Sequence, residues 1–396
     1  MTLAVLTELL DLPHVRVVGF ELPDEDTIVL DIEFELPVAM CPVCQQMSST
    51  IHSYVPPRMV RDLDVWSRQC YLRFRPRQFE CDRCQKTFVE RLAWLEKSQR
   101  QTRRMEKRVF ELVRRTNVTD AAWYHHSTDE IVEALFLREA RRRLEVRGYP
   151  KVETLNVDEI AGIKGRGHYL LVISSPEVGV LDILPDRLKA TLEAWFEARG
   201  PDWCAAVKRF NADMWAPYHA AARSYLPNAK TIADHFHVIQ GLNEALAGVR
   251  RTLQRHADEA TRAQLKGSRW LLLKNRESLS ATEQERLAQV LQIDAILQAC
   301  YQLKEAFRDI YKLTHIEEAA QTLTQWLEHA CEISAKSFQA FATTVENWRE
   351  QILNFFDGRS SNGYAEGVNN KIKLIRRRAY GCPNFQHFRL RVLIAF

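Results

Sequence analysis

The chain has 396 residues, room for two or three domains and at least one large core, and its 46% hydrophobic and 27% charged content is that of an ordinary globular protein. No stretch approaches the roughly 18 consecutive apolar residues of a membrane span, and MTLAVLTELLDLP lacks the basic start and small-residue cleavage site of a signal peptide, so neither membrane embedding nor export is expected. The net charge of +4 hides a segregation, because residues 1–57 carry nine acids against one Arg whereas 58–150 carry 22 bases against 14 acids. That pattern suggests a polyanion gripped at particular places, although well-solvated Arg-rich helix faces would look the same.

Residues 15–36 read as two strands around an acidic turn at Pro23–Asp26, and Gln69–Phe79 is a second strand-rich stretch in which Arg alternates with aromatic and aliphatic residues. Two CxxC knuckles, Cys41-Pro-Val-Cys44 and Cys81-Asp-Arg-Cys84, bracket that region. The short spacing lets two thiolates meet one tetrahedral ion, with zinc the usual occupant. A single CxxC could be a redox pair, but two in a chain whose cysteines should stay reduced argue for metal; four reduced core cysteines are the rival reading. Four thiolates leave no open position, so one structural Zn2+ is expected. His52 is the nearest competing ligand, and Cys70, Cys204, Cys300, Cys331 and Cys382 read as ordinary buried thiols.

From Ser98 to Arg147 the pattern turns helical, with turn signals near Thr116–Asp120 and Ser127–Asp129. Residues 119–143 read as a helix, a tight turn capped by Ser127 or Thr128, and a second helix carrying Arg138, Arg141, Arg142 and Arg143. A helix-turn-helix would set such a helix in the major groove of DNA, but many helices carry Arg clusters without binding any. Gly148-Tyr149-Pro150 marks the best domain boundary. Beyond it, TLNVDEI, HYLLVISS and VGVLDILP, the helical LKATLEAWFEARG, and strands near CAAVKRF and AKTIADHF spell a mixed α/β domain. Residues 237–356 are almost wholly helical and contain no Pro.

Asp158 follows the apolar run Thr154–Val157, and Asp213 follows another that ends in Phe210-Asn-Ala. Acids beside core strands are costly unless paired or metal-bound, yet two Asp in ordinary turns would read alike. Glu366 is the only acid between Gly358 and the C-terminus, among eight bases that include Lys371, Lys373, Arg376, Arg377 and Arg378. Asn362, Glu366 and Asn370 recur every four residues and so share one helix face. If Asp158, Asp213 and Glu366 converge, their repulsion calls for divalent cations, and oxygen ligands suit Mg2+ or Mn2+.

With these motifs in order, the chain resembles the transposases of the ISL-three family of bacterial insertion sequences, nearly end to end. CPVC…CDRC with Lys86–Glu90 resembles that family's zinc-binding domain, and the segment to Arg147 its helix-turn-helix region. VDEI, NADMWAPY, ADHFHVIQGLNEAL and SNGYAEGVNNKIKLIRRRAYG resemble its DDE catalytic domain. The resemblance implies an RNase H-like α/β catalytic core interrupted by an all-α insertion, making the chain a multi-domain α+β protein. It carries Asp158, Asp213 and Glu366 over as a triad holding two Mg2+ (or Mn2+) ions, with Asp234 and His237 as a supporting D-x-x-H pair. Read alone, His237 is a packed histidine at a strand end. Where the family often has an Asp after the second strand, Ser174-Ser175 stand here.

The implied activity is binding of terminal inverted repeats and metal-dependent DNA cleavage and strand transfer. The implied partners are double-stranded DNA and further copies of the chain in a homodimer or larger assembly, in a cytoplasmic, nucleoid-associated setting. The alternative is a catalytically silent DNA-binding regulator. The expected division is 1–95 zinc-binding, 96–149 helix-turn-helix, 150–237 first part of the core, 238–355 helical insertion and 356–396 the helix with the third acid. Each Trp, Trp215 and Trp270 included, is expected to be buried.

Overall fold

The computed structural model describes residues 2–163, 168–359, 363–380, 382 and 384–396. Asn362 and Gly381 of the C-terminal motif lie outside them. The chain divides into two compact units, Met1–Val146 with Arg377–Ala395, and Arg147–Arg376 with Phe396. No helix among the described residues is long and apolar enough to cross a membrane.

In the first unit, the acidic turn joins antiparallel strands Val15–Glu21 and Thr27–Phe34, and the four-stranded sheet is completed by Gln69–Phe74 and Arg58–Arg61. The strand-rich stretch over 69–79 is two strands parted at Pro76, which has no N–H for a ladder, and Arg77–Glu80 joins a different, three-stranded sheet with Ile51–Tyr54 and Thr87–Val89. Arg77 and Glu90 there form a buried bidentate ion pair at 2.7 Å. The helical stretch resolves into Arg103–Arg115, Val118–Tyr124 and Asp129–Arg147, with Thr128 Oγ1 accepting from Ile131 N–H at the start of the last. His126 takes the left-handed φ of 48° that the tight turn needs. Phe110 and Phe136 stack at 5.2 Å in the core of this group, which helix Phe385–Ala395 joins through Leu390.

The second unit is built on a five-stranded sheet: β1 Thr154–Ile163, β2 His168–Ser175, β3 Gly179–Leu184, β4 Arg209–Ala212 and β5 Lys230–Ala233. Their order is β3-β2-β1-β4-β5, antiparallel from β3 to β1 and parallel from β1 to β5. Helices α1 (Lys189–Arg199) and α2 (Ala216–Tyr225) cover one face over Leu155, Val157, Leu171, Ile173 and Phe210. CAAVKRF is only partly strand: Pro201, whose missing N–H costs nothing in a first helical turn, opens the short helix Pro201–Cys204, and β4 starts at Arg209. Helix α3 (His235–His256) leaves β5 and opens a helical block that runs to Phe356 around its own core, including Phe307, Trp326, Phe338 and Phe341. Helix α4 (Gly363–Arg378) follows.

Two sets of buried residues were expected wrongly. Cys331, at the last turn of helix Ile316–Glu332, is exposed, and Cys382, beyond helix Gly363–Arg378, is half-buried, because a helix end leaves part of its side-chain surface to solvent. Trp66, Trp123, Trp215 and Trp270 are 65%, 79%, 47% and 71% exposed, each on a turn or a short helix, whereas Trp195, Trp203 and Trp326 are core residues with their indole N–H groups bonded.

Candidate metal centres and nucleic-acid surface

The two CxxC segments fold into matching knuckles. Gln45 N–H donates to Cys41 C=O at 2.9 Å and Gln85 N–H to Cys81 C=O at 2.8 Å, with Gln45 and Gln85 at left-handed φ of 61° and 55°. Cys41 Sγ lies 3.7 Å from Cys84 Sγ, and Cys44 Sγ 3.4 Å from Cys81 Sγ. A tetrahedron of thiolates at the usual ~2.3 Å from zinc has edges of about 3.8 Å, so the four sulfurs already sit at nearly the right separations. Backbone N–H groups aimed at the sulfurs favour the thiolate at two of the four: that of Cys44 brings Cys41 down to about 6, and that of Cys84 lowers Cys81. Burial pushes Cys84 up to about 11, and the Cys81 sulfur helps hold Cys44 above its usual value. His52 lies outside this set, 3.6 Å from Glu80.

The acids of the second unit meet through strand register. Asn156 pairs with Asn211 across β1 and β4, so two residues further along each strand bring Asp158 beside Asp213. The two asparagines are fully buried, and Asn211 Nδ2 donates to Asn156 Oδ1 at 2.7 Å, a bond available only in this register. Asp158 does not follow its strand, as the sequence suggested; β1 runs on to Ile163 against β2, and Asp158 stands where β4 has ended. Ala212 pairs with Ala233, which puts Asp234 one strand further over at the N-cap of α3. His237, one turn into α3, reaches back so that Nδ1 lies 2.6 Å from Asp213 Oδ1 and 2.7 Å from Asp234 Oδ2.

Donor atoms of Asp158, Asp213 and His237 all fall within 4.8 Å of one another. Burial, with the charge of Asp213 beside it, raises Asp158 to about 6, and burial raises Asp213 too. Burial disfavours a charged His237, but the carboxylates of Asp213 and Asp234 outweigh it and lift the ring to about 10. One Nδ1 proton serves only one of two carboxylates at a time, and Asp213 Oδ1 is buried without a hydrogen bond of good geometry. Two carboxylates with an under-satisfied oxygen suit a divalent cation such as Mg2+ or Mn2+, while the charged His237 ring serves them as a hydrogen-bond donor.

Helix α4 brings an unexpected residue to this centre. Its buried stripe is Ala365, Val368, Asn369 and Ile372, while Glu366 and Asn370 are exposed. Asn369 Nδ2 donates to Asp158 Oδ2 at 2.7 Å. Glu159 accepts from the Tyr218 hydroxyl at 2.6 Å and from Arg187 at 3.2 Å. Asn369 lies one position from the four-residue spacing that drew attention to Asn370, and the VDEI motif itself contained Glu159.

Most of the arginines chosen for DNA on Asp129–Arg147 are held by acids of the same unit. Arg138 pairs with Glu106, Arg142 with Glu139, and Arg143 with both Glu139 and Glu111 while lying 4.1 Å over the Phe110 ring. Arg141 is exposed. On α4, Lys371 lies over the Phe396 ring and Arg376 donates to Ala161 C=O at 2.9 Å, whereas Lys373, Arg377 and Arg378 are exposed.

A family model described as a transposase matches residues 155–392, a zinc finger of IS204/IS1001/IS1096/IS1165 transposases matches 37–84, and a helix-turn-helix domain of transposase family ISL3 matches 90–140. The transposase for insertion sequence element IS1001 of Bordetella parapertussis is 30% identical over 91% of this chain and 89% of its own length. The transposase for element IS1557 of Mycobacterium tuberculosis is 28% identical over 59% of this chain and 57% of its own length. The zinc ribbon, the helix-turn-helix and the transposase domain therefore follow one another in a chain that belongs to the ISL3 family of insertion-sequence transposases.

Proposed function

We propose that this chain is a DDE transposase that binds the terminal inverted repeats of its insertion sequence, cuts DNA there and joins the exposed 3′-OH to target DNA. The observation that carries the reading is the convergence of Asp158, Asp213 and His237, from separate elements, on a space within 4.8 Å. The strand order β3-β2-β1-β4-β5, antiparallel then parallel, supports an RNase H-like core, and the helical block between β5 and α4 supports an all-α insertion over 238–355. Residues 1–95 and 96–149 are assigned to DNA recognition, and 150–237 with 356–396 to catalysis. Because two DNA ends are joined in concert, the working form is a homodimer or larger assembly.

When bound, two Mg2+ or Mn2+ ions supply the charge that activates the attacking oxygen and offsets charge on the scissile phosphate. Asp158 and Asp213 would hold that pair, with Glu366, exposed on α4 and outside the cluster of Asp158, Asp213 and His237, as the third acid that the family resemblance implies. Asn369 fixes the rotamer of Asp158 through its 2.7 Å bond. Asp234 caps α3 and takes the His237 ring, which keeps that imidazole beside Asp213. Arg141, Lys373, Arg377 and Arg378 are the exposed bases suited to flanking phosphates. Full-length protein, DNA carrying the element's ends and Mg2+ should give strand cleavage that Asp158→Asn reduces about 10³-fold or more. Equal cleavage by the variant refutes the assignment, and specific binding without cleavage by the unaltered chain would favour the silent regulator.

A further inference from the structure

Trp215 and Tyr169 expose broad aromatic surface, 47% and 38% of each residue. Trp215 follows Asp213 by two residues, and its N–H donates to the Asp213 C=O at 2.6 Å. The same carbonyl lies 3.0 Å from His219 Nε2 on α2. The turn that presents the indole is thus tied to the turn that presents the acid. Tyr169 stands on β2 opposite Ala161 of β1, on the sheet face of Glu159 rather than that of Asp158.

Arg187 links the two rings. Its guanidinium lies 4.9 Å from the Tyr169 ring centroid and 5.9 Å from that of Trp215, both within the roughly 6 Å reach of a cation–π contact. Behind it, Glu159 accepts from Arg187 and from the buried Tyr218 hydroxyl, which anchors the guanidinium from the side of the sheet. Exposure alone does not single out Trp215, since Trp66, Trp123 and Trp270 are more exposed; its pairing with Tyr169 through one anchored guanidinium does. Here an anchored planar cation stands between two flat rings that face solvent. That is the chemistry that holds an unstacked nucleobase, since every base has a π-face and the guanidinium can meet the adjoining phosphate.

We propose that Tyr169, Arg187 and Trp215 form a platform on which one unpaired nucleobase stacks, beside the turn that carries Asp213. The proposal rests on the DNA-processing reading above and names a feature that reading leaves open, the handling of an unpaired base. Stacking carries no base-edge readout, so any of the four bases is accepted.

The test uses the full-length, zinc-loaded chain carrying Asp158→Asn, without added divalent cation, and fluorescein-labelled oligothymidylate or duplex of equal length, followed by anisotropy. Trp215→Ala should weaken oligothymidylate binding about 5- to 100-fold and change duplex binding by less than about twofold. Trp215→Phe, which keeps an aromatic face, should recover most of the loss. Tyr169→Ala lies outside the Asp213 turn and should lose single-strand affinity in the same sense, which decides the matter even if Trp215→Ala fails to fold. Unchanged oligothymidylate binding in both alanine variants, or equal losses on single strand and duplex, overturns the platform. Neither cleavage nor metal binding is measured, so failure of the acid assignments leaves these affinities standing. Failure of the platform, in turn, leaves the cleavage defect of Asp158→Asn untouched.

Discussion

The two candidate metal centres are assembled in opposite ways. Each cysteine knuckle closes within six residues, by bonds such as Gln45 N–H to Cys41 C=O, and only two knuckles must meet. The acid centre takes Asp158 and Asp213 from register-matched strands, His237 from a helix and the Asp158-binding Asn369 from another helix beyond the whole helical block. A centre made of local turns is stable only when its ligand holds it together. One made by a sheet is shaped by a core that exists without the ligand, here Leu155, Val157, Phe210 and Ala212 behind the acids. Removing the ion should therefore unfold the first and merely empty the second.

The largest expected effect follows from that contrast. Zinc bound by four thiolates contributes on the order of 10–16 kcal/mol of apparent binding energy to folding, and the five-residue cluster of Ala39, Cys41, Phe79, Cys81 and Phe88 is too small to replace it. Purified protein should contain about one Zn per chain, and Cys41→Ser or a strong chelator should unfold the ribbon, seen as loss of zinc and of its amide-exchange protection. Removing Mg2+ or Mn2+ should leave the protection of β1 and β4 intact. Equal loss in both sheets would break the comparison.

The next effect separates the residues around the acid centre. Side chains that orient a metal ligand typically change affinity about 10- to 100-fold when removed. Asn369→Ala should weaken Mn2+ binding within that range, measured by electron paramagnetic resonance, while Asn370→Ala on the exposed neighbouring stripe should not. Glu366→Gln should weaken Mn2+ binding at least as much as Asn369→Ala if Glu366 closes over the ions as the third acid. If only Asn369→Ala has an effect, the triad assignment of Glu366 fails and the helix serves the centre through its amide.

These cases also show what could be read from the chain. The knuckles were legible because three-residue spacing is itself the geometry. Asp158 and Asp213 could be picked out because acids beside apolar runs are costly, but their meeting depends on Asn156 facing Asn211, a register that no local pattern states. Asn369 was passed over in favour of Asn370 because a helix face read without its neighbours can be rotated by one position, about 100°. The helical block was visible from composition. The exposure of Trp215 was not, because a turn between strand and helix leaves no periodicity from which burial could be judged.

The smallest effect concerns the two basic helices, which sequence makes look alike. Exposed ion pairs contribute little on average, but Glu139 is buried beneath Arg142 and Arg143, and Glu106 beneath Arg138. Removing Arg143 leaves buried Glu139 with Arg142 alone and takes a guanidinium off the Phe110 ring, so Arg143→Ala should lower thermal stability before it alters DNA affinity. Arg141, Lys373, Arg377 and Arg378 are exposed, and neutralising any one should weaken binding to all DNA sequences alike and reduce the slope of log K against log salt by about 1. A loss confined to one base position would mean direct readout by that side chain. If instead Arg143→Ala flattens the salt slope while stability is unchanged, its ion pairs open on DNA, and the division between structural and phosphate-facing arginines drawn here is wrong.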